Sequence, residues 1–235
     1  MATKNEIIQK SSEVAYSWIK TRSQSINKKS YKTMSVNPMM APMIKGIHGF
    51  TTDKQLFEFL MISHHMTGHN TSFGKMIDEK LLPAVFSTIK LDKKFRKDNP
   101  PFNKSCFDEI DHLVSLYGKN YLISQKTSKW GIQLTGAVKM NHAFNDILTK
   151  YPDTIDGIIV GVTYGDPEDL TDKYDIIRGI NTGENHDVHD LTSKVTVLTG
   201  KEYWKWLNGG EEETYGCVMT GFIDAAISYV NDKNL

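Results

Sequence analysis

The chain has 235 residues, which is enough for a single domain with a substantial core. It carries 28 basic and 28 acidic side chains, so no overall positive field marks it as a nucleic-acid-binding protein, although a local basic groove would be enough to contact phosphates. Cys106 and Cys217 form neither a zinc pattern nor a disulfide framework, and no apolar run suits a signal peptide or a membrane span, which predicts a soluble cytoplasmic protein.

The N-terminal part of the chain is predicted to be helical. Apolar residues at helical spacing predict a helix over 5–27, and the Met-, Pro- and Gly-rich residues 33–50 predict a packed loop or short helical turns. A second helix is predicted over 54–66 with Asp53 as its N-cap.

The segment HMTGHNTSFG is predicted to break this second helix, because Gly, Asn, Thr and Ser favour turns and caps. Ser72 is then expected to cap a further helix, in which Pro83 causes a kink or a restart. Charged and polar residues over 91–105 predict a loop.

The remainder of the chain is predicted to contain a sheet. Alternating apolar residues predict a strand over 107–116, a turn at Gly118–Asn120 and a paired strand over 121–125. The later predicted elements are a helix over 129–150, strands over 154–165, 174–180 and 194–199, a helix ending at Gly209-Gly210, and a helix over 221–230. This order predicts an α/β fold with a mixed central sheet flanked by helices.

Asp111, Ser124 and Lys126 form the candidate catalytic group. Side chains alternate along a strand, so Ser124 and Lys126 share a face, and the hairpin brings Asp111 to the same edge. A carboxylate suits Mg²⁺, which neutralises the charge that develops when a phosphodiester is hydrolysed, and a nearby lysine can orient the attacking water. The same spacing is common on ordinary surface hairpins, so by itself it leaves both interpretations open.

Longer blocks of sequence favour a nuclease. DEIDH followed by SQKTSKWGIQLTGAV resembles the core of the PD-(D/E)xK nuclease fold. The blocks HMTGHNTSFGKMIDEKLLPAVF, LTDKYDIIRGINTGENH and TGKEYWKWLN resemble type II restriction endonucleases, in particular those that cleave the interrupted palindrome RGGNCCY. The resemblance extends from about Met34 to Leu207. It implies a restriction-endonuclease-like fold, Mg²⁺ as cofactor, double-stranded DNA as substrate, a homodimer, and a cognate DNA methyltransferase that protects the same site.

The resemblance also implies roles for individual residues. Asp111 would bind the metal ion and Lys126 would be the catalytic lysine. Asp108 and Glu109 are alternative acids, and Asp111 is preferred because its distance from Lys126 suits a tight hairpin. The implied domains are residues 1–50, a helical and dimerisation region, and residues 51–235, the catalytic and DNA-binding domain.

Ser124 departs from the family pattern, which has Glu or Asp at this position. The missing acid could come from the preceding helix, where Glu79 is the predicted second metal ligand and Asp78 the other candidate donor. Alternatively, Ser124 binds the metal ion through water and one carboxylate suffices. A third interpretation is a catalytically inactive DNA-binding relative, and a repair or recombination nuclease of the same fold is a further alternative.

Two segments are predicted to contact DNA. One is placed at a helix start, where backbone N–H groups favour phosphate, and the other is a polar loop suited to base edges. An ordinary capping loop and a polar surface loop are the competing interpretations. The predicted DNA-binding residues are His69, Asn70, Thr71, Ser72 and Lys75 in the first segment, and Arg178, Asn181, Asn185 and His186 in the second.

Overall fold

A five-stranded mixed sheet forms the centre of the fold in the computed structural model, which describes residues 1–27, 39–127, 131–183 and 185–233. The spatial order of the strands follows the chain; β1 and β2 are antiparallel, as are β2 and β3, whereas β3, β4 and β5 are mutually parallel. The predicted α/β class with a mixed sheet flanked by helices is therefore confirmed. The strands are β1 (Ile89–Lys90), β2 (His112–Leu116), β3 (Lys119–Lys126), β4 (Gly157–Val162) and β5 (Val195–Thr199).

Helices cover both faces of this sheet. The α-helices are α1 (Lys4–Asn27), α2 (Ala41–His48), α3 (Asp53–Met76), α4 (Leu82–Phe86), α5 (Lys93–Asp98), α6 (Leu134–Lys150), α7 (Lys173–Arg178), α8 (Gly200–Leu207) and α9 (Thr214–Lys233). A π-helical turn, Ile77–Leu81, joins α3 to α4, and 3₁₀ turns lie at Ser105–Glu109 and Pro167–Asp169.

Alternation along β3 divides the core into two clusters. Leu122 packs with residues of α6 and α7 on one face, whereas Ile123 packs with residues of α1, α4, α8 and α9 on the other. All six residues of β4 are buried, which explains its unbroken apolar sequence. Gly161 in β4 is required for close packing, because a Cβ there would lie 2.3 Å from the ring of Tyr203.

The predicted β2–β3 hairpin is present, but its turn lies at Tyr117-Gly118 rather than Gly118–Asn120, and β3 already begins at Lys119. Tyr117 and Gly118 form a two-residue turn and both have positive φ angles, 52° and 75°, as a type I′ turn requires. The resulting register places His112 opposite Ile123. The preceding segment differs from the prediction, because residues 107–109 belong to the 3₁₀ turn and the strand begins only at His112; the predicted loop over 91–105 also contains α5.

The predicted strand over 174–180 is wrong. Residues 173–178 form α7, and Gly179 ends that helix with a φ of 89°. Leu170, Tyr174 and Ile177 all pack against the same core cluster, so the spacing of the apolar residues is helical even though the segment is rich in isoleucine.

The predicted break within 67–74 is also wrong, because α3 continues to Met76. Thr52, rather than Asp53, caps this helix and forms a capping box with Gln55. Ser72 lies inside the helix and its hydroxyl donates to the carbonyl of His69 instead of capping a new helix.

The π-helical turn that follows α3 allows Pro83 to lie in the first turn of the next helix. Leu82 donates its N–H to the carbonyl of Ile77, five residues back, and Pro83 has no N–H to continue an α-helical pattern. The helix then restarts as α4, as the sequence predicted.

The N-terminal helix belongs to the same core as the sheet. Helix α1 packs along α9, and Ile7 is buried in the cluster that contains Ile123 and Trp204. A separate dimerisation role for residues 1–50 stays a prediction, and part of its Met-rich segment, 34–38, lies outside the described residues. Within the described ranges, no helix has the length and apolarity needed to cross a membrane.

Candidate functional site

A cleft of about 470 Å³ opens at the edge where β2 begins and β3 ends. The last turns of α3 form one wall, and the segments that follow β3 and β4 form the other. The lining residues include Asn70, Thr71, Lys75, Asp78, Asp111, Gln125, Thr127 and Tyr164.

The backbone of the hairpin holds Asp111 at the end of β3. Its N–H donates to the carbonyl of Ile123 at 2.8 Å, which extends the antiparallel ladder by one residue. Its carboxylate Oδ2 then accepts the N–H of Gln125 at 2.7 Å. A side-chain acceptor thus replaces the next ladder bond, and the Asp111 carboxylate faces the cleft.

Asp78 brings a second carboxylate to the same place. Lys90 Nζ lies 2.7 Å from both Oδ1 and Oδ2 of Asp78 and 3.3 Å from Oδ1 of Asp111. Burial disfavours the charged form of Asp78, but hydrogen bonds from His112 and Lys90 outweigh it and hold the pKa of this carboxyl below its ordinary value. Two carboxylates from separate elements therefore converge on one cationic atom.

His112 and Thr88 support Asp78 from the interior. His112 Nε2 lies 2.7 Å from Asp78 Oδ1, and His112 Nδ1 lies 3.0 Å from the hydroxyl of Thr88. Both His112 and Thr88 are buried. Neither residue, nor Lys90, was predicted from the sequence to be part of a site.

Ser124 and Lys126 share a face of β3, as expected from alternation, but neither is among the described residues that line the cleft. Ser124 is fully buried opposite Val160, and no hydrogen-bond partner of its hydroxyl is found within the described ranges. Lys126 is half-buried at the end of the strand. Gln125 and Thr127 face the cleft instead.

The structure separates the two candidate donors of the second acid. Glu79 is exposed and lines a different pocket, which also contains Glu13 and Trp18 of α1. Asp78 lies beside Asp111 because the helical turn directs neighbouring side chains to different sides. Of the two, only Asp78 is brought together with Asp111.

The first predicted DNA-binding segment is helical, and its side chains contact α1 on one side and the cleft on the other. His69 Nδ1 accepts a hydrogen bond from Arg22 Nε at 3.2 Å, and burial together with the Arg22 charge lowers the pKa of His69. Ser72 accepts from the indole N–H of Trp18 at 3.2 Å, so it also faces α1. The remaining members of the segment, Asn70, Thr71 and Lys75, line the cleft.

The second predicted DNA-binding segment lies apart from the cleft, at the end of α7. Arg178 Nη1 lies 3.8 Å from Asp175, and Asn181 accepts the backbone N–H of His186 at 3.2 Å. Asn185 is exposed.

A buried asparagine holds the ends of this loop together. The Asn141 amide donates to the carbonyls of Ile177 and His189, at 3.0 and 2.9 Å, and its Oδ1 accepts the His189 N–H at 2.8 Å. A lone polar residue on the apolar face of α6 was the available sequence signal for this anchor.

Within the described parts of the chain, no group of three or more His, Cys, Asp or Glu side chains forms a metal site. Asp78 and Asp111 are a pair, and a pair suits a hard cation that takes its other ligands from water or phosphate. The two carboxylates share the Lys90 ammonium, so they can hold a cation between them, and Lys90 would have to move aside for Mg²⁺ to bind there.

No protein-family model matches the chain. No curated protein matches it either.

Proposed function

We propose that this chain is a Mg²⁺-dependent endonuclease that cleaves double-stranded DNA at a short interrupted palindrome, as type II restriction endonucleases do. The observation that carries the proposal is the convergence of Asp78 and Asp111 on the Lys90 ammonium at an open cleft. Paired carboxylates at a sheet edge are suited to hydrolysis of a phosphodiester assisted by a metal ion.

Asp78 and Asp111 would hold the metal ion. Mg²⁺ is bound in proteins by one or two carboxylates together with waters and substrate phosphates, so two acids are sufficient. When bound, Mg²⁺ supplies charge neutralisation at the scissile phosphate and a polarised water. This assignment makes Asp78, rather than Glu79, the second acid.

Other residues of the chain would bind and orient the DNA. Asn70 and Lys75 supply hydrogen-bond donors along the cleft wall, where a phosphate backbone would lie, whereas the Thr71 hydroxyl donates to the carbonyl of Thr67. Lys126 lies outside the cleft lining, at the end of β3, and we propose that its long side chain reaches past the strand end to donate to a phosphate or orient the attacking water. The loop after α7, with Arg178, Asn181, Asn185 and His186, would contact bases.

A palindromic site calls for a reader with two-fold symmetry, so we propose a homodimer. A host cell that contains such a nuclease in its cytoplasm must protect its own DNA, and a cognate methyltransferase acting on the same site would do so.

The test is digestion of a phage DNA of known sequence by the purified protein with and without Mg²⁺. We expect discrete fragments, and sequencing of their ends gives the recognition site. Asp78→Asn, Asp111→Asn and Lys126→Ala should abolish cleavage, whereas Glu79→Gln, which changes the adjacent exposed acid, should retain it.

The alternatives predict different products. DNA binding with no cleavage would favour an inactive relative, an idea motivated by Ser124. Degradation without discrete bands would favour a repair nuclease. Cleavage at the wild-type rate by Asp78→Asn and Asp111→Asn would refute the proposed site.

A further inference from the structure

We propose that His112 is a positioning residue of the metal site, which fixes the orientation of the Asp78 carboxylate through a hydrogen-bonded chain that begins at Thr88. The inference rests on the proposed function, because it takes Asp78 to be a metal ligand.

The chain of contacts is short and enclosed. The His112 side chain is 0% exposed and Thr88 is 4% exposed. The Thr88 hydroxyl lies 3.0 Å from His112 Nδ1, and His112 Nε2 lies 2.7 Å from Asp78 Oδ1. Water therefore has little access to the imidazole, and each ring nitrogen has a protein partner.

The chemistry of the partners sets the direction of the chain. An ionised carboxylate only accepts hydrogen bonds, so Nε2 must carry a proton toward Asp78. In the neutral imidazole, Nδ1 is then the acceptor, and the Thr88 hydroxyl donates to it. The Asp78 carboxylate therefore fixes the tautomer, and the Thr88 hydroxyl satisfies Nδ1 and holds the ring in the orientation that supports Asp78.

The local fold places these groups under Asp78. Ser87 has a φ of 55°, which ends α4 and turns the chain so that Thr88 leads directly into β1. His112 pairs with Lys90 across β1 and β2, so a hydrogen-bond donor and a cation approach Asp78 from adjacent strands. His112 fixes Oδ1, and the carboxylate then has a defined orientation relative to Asp111.

Residues that hydrogen-bond to metal ligands change metal affinity when they are replaced, by about 10- to 100-fold. A residue that only supports folding would lower thermal stability without changing the affinity of the folded protein. Metal affinity is therefore the measurement that separates the two roles.

The experiment is calorimetric titration of Ca²⁺ and Mg²⁺ into the full-length protein and folded variants, without DNA. His112→Asn shortens the side chain and removes the donor to Asp78, and we expect affinity to fall by about 10- to 100-fold. His112→Gln can still extend an amide N–H to Asp78 and should restore most of it. Thr88→Val should weaken binding by a few-fold, while Thr88→Ser, which keeps the hydroxyl, should not.

Wild-type affinity in His112→Asn, or equal affinities in Thr88→Val and Thr88→Ser, would overturn the proposal. If His112→Asn does not fold, the comparison of Thr88→Val with Thr88→Ser tests the proposal. Asp78→Asn distinguishes failure of the positioning role from failure of the proposed metal site. If Asp78→Asn loses affinity and the His112 and Thr88 variants do not, only the positioning role is wrong. If the wild-type protein binds neither ion, or Asp78→Asn binds as well as wild type, the site itself is wrong.

Discussion

Replacement of Lys90 by methionine gives a direct measure of whether the Asp78–Asp111 pair binds a divalent cation. The Lys90 side chain is 24% exposed, and methionine can keep the packing of its aliphatic stem while removing the ammonium. In Lys90→Met the two carboxylates lose the cation that they share. The metal-free protein should therefore be less stable, and the pair should bind a metal ion more tightly.

The expected magnitudes follow from the contacts. Hydrogen bonds between charged groups contribute about 1.5–3 kcal/mol each, and partial exposure and the desolvation cost of Lys90 reduce the net effect to about 2 kcal/mol. For a chain of this size that corresponds to a decrease in Tm of roughly 4–8 °C. At an effective dielectric constant of 20, two unit charges about 4 Å apart interact by ~4 kcal/mol, so one ammonium opposes a divalent ion at that distance by at most ~8 kcal/mol. Because the lysine side chain can move aside in the wild-type protein, we expect a gain in metal affinity of about tenfold.

The assay is thermal unfolding of wild type and Lys90→Met over a series of Mg²⁺ concentrations. A metal ion at a concentration 100 times its Kd stabilises a folded protein by about 2.7 kcal/mol. At the same metal concentration, a site that binds tenfold more tightly gives a further ~1.4 kcal/mol. Mg²⁺ should therefore raise the Tm of Lys90→Met by roughly 3–6 °C more than that of wild type.

Lys94→Met is the matched control, because Lys94 is exposed and no ion pair of its side chain is found within the described residues. Its response to Mg²⁺ should equal that of wild type. If Mg²⁺ raises the Tm of Lys90→Met no more than that of wild type, Asp78 and Asp111 do not bind a divalent cation.

Further predictions concern packing, pH and the loop after α7. Gly161→Ala places a methyl group 2.3 Å from the Tyr203 ring, so unfolding by urea should show a loss of about 1–3 kcal/mol, and an unchanged midpoint would contradict the packing. Because the folded-state pKa of Asp78 is lowered, its ionisation stabilises the fold above the unfolded pKa of about 3.9 and that stabilisation is lost as pH falls through the folded pKa. The free energy of unfolding, measured from pH 7 to 2, should fall less steeply with pH in Asp78→Asn than in wild type. An identical profile would show that Asp78 does not contribute to the acid dependence of stability. Asn141→Ala leaves backbone groups of His189 and Ile177 unpaired and should cost about 2–4 kcal/mol, which a Tm within 1 °C of wild type would disprove.

The parts of the fold that the sequence predicted correctly are those with a strong local signal. The hairpin follows from a period of two around Gly118, and β4 follows from an unbroken apolar run over 157–162. The interior of α3 has no such signal, because Gly68 and its neighbours favour loops in isolation. This part of α3 contacts α1: Arg22 hydrogen-bonds to His69, and a Cβ at Gly68 would lie 2.2 Å from the Arg22 guanidinium, so the glycine allows a contact that the sequence alone does not reveal.

The candidate site was predictable only in part, for a related reason. Asp111 could be placed because it lies next to a recognisable hairpin. Lys90 and His112 could not be placed, because they are brought together by the pairing of β1 with β2. Strand β1 has two residues, which is too short for a recognisable alternation of apolar and polar side chains. Their register, with Lys90 opposite His112, places both beside Asp78, and that pairing joins residues more than twenty positions apart.

The position of the second acid follows from which face of β3 is buried. Ser124 lies on the same face as Leu122, opposite Val160, and is 0% exposed. A carboxylate at 124 would be buried against this apolar cluster and would lose several kcal/mol of hydration without a partner among the described residues around it. Asp78 approaches the same edge from the opposite side of the sheet, where Lys90 can balance its charge. A serine at position 124 and an acid on the π-helical turn are therefore two consequences of one arrangement, in which the metal ligands of the proposed nuclease lie on the α3 side of the sheet edge.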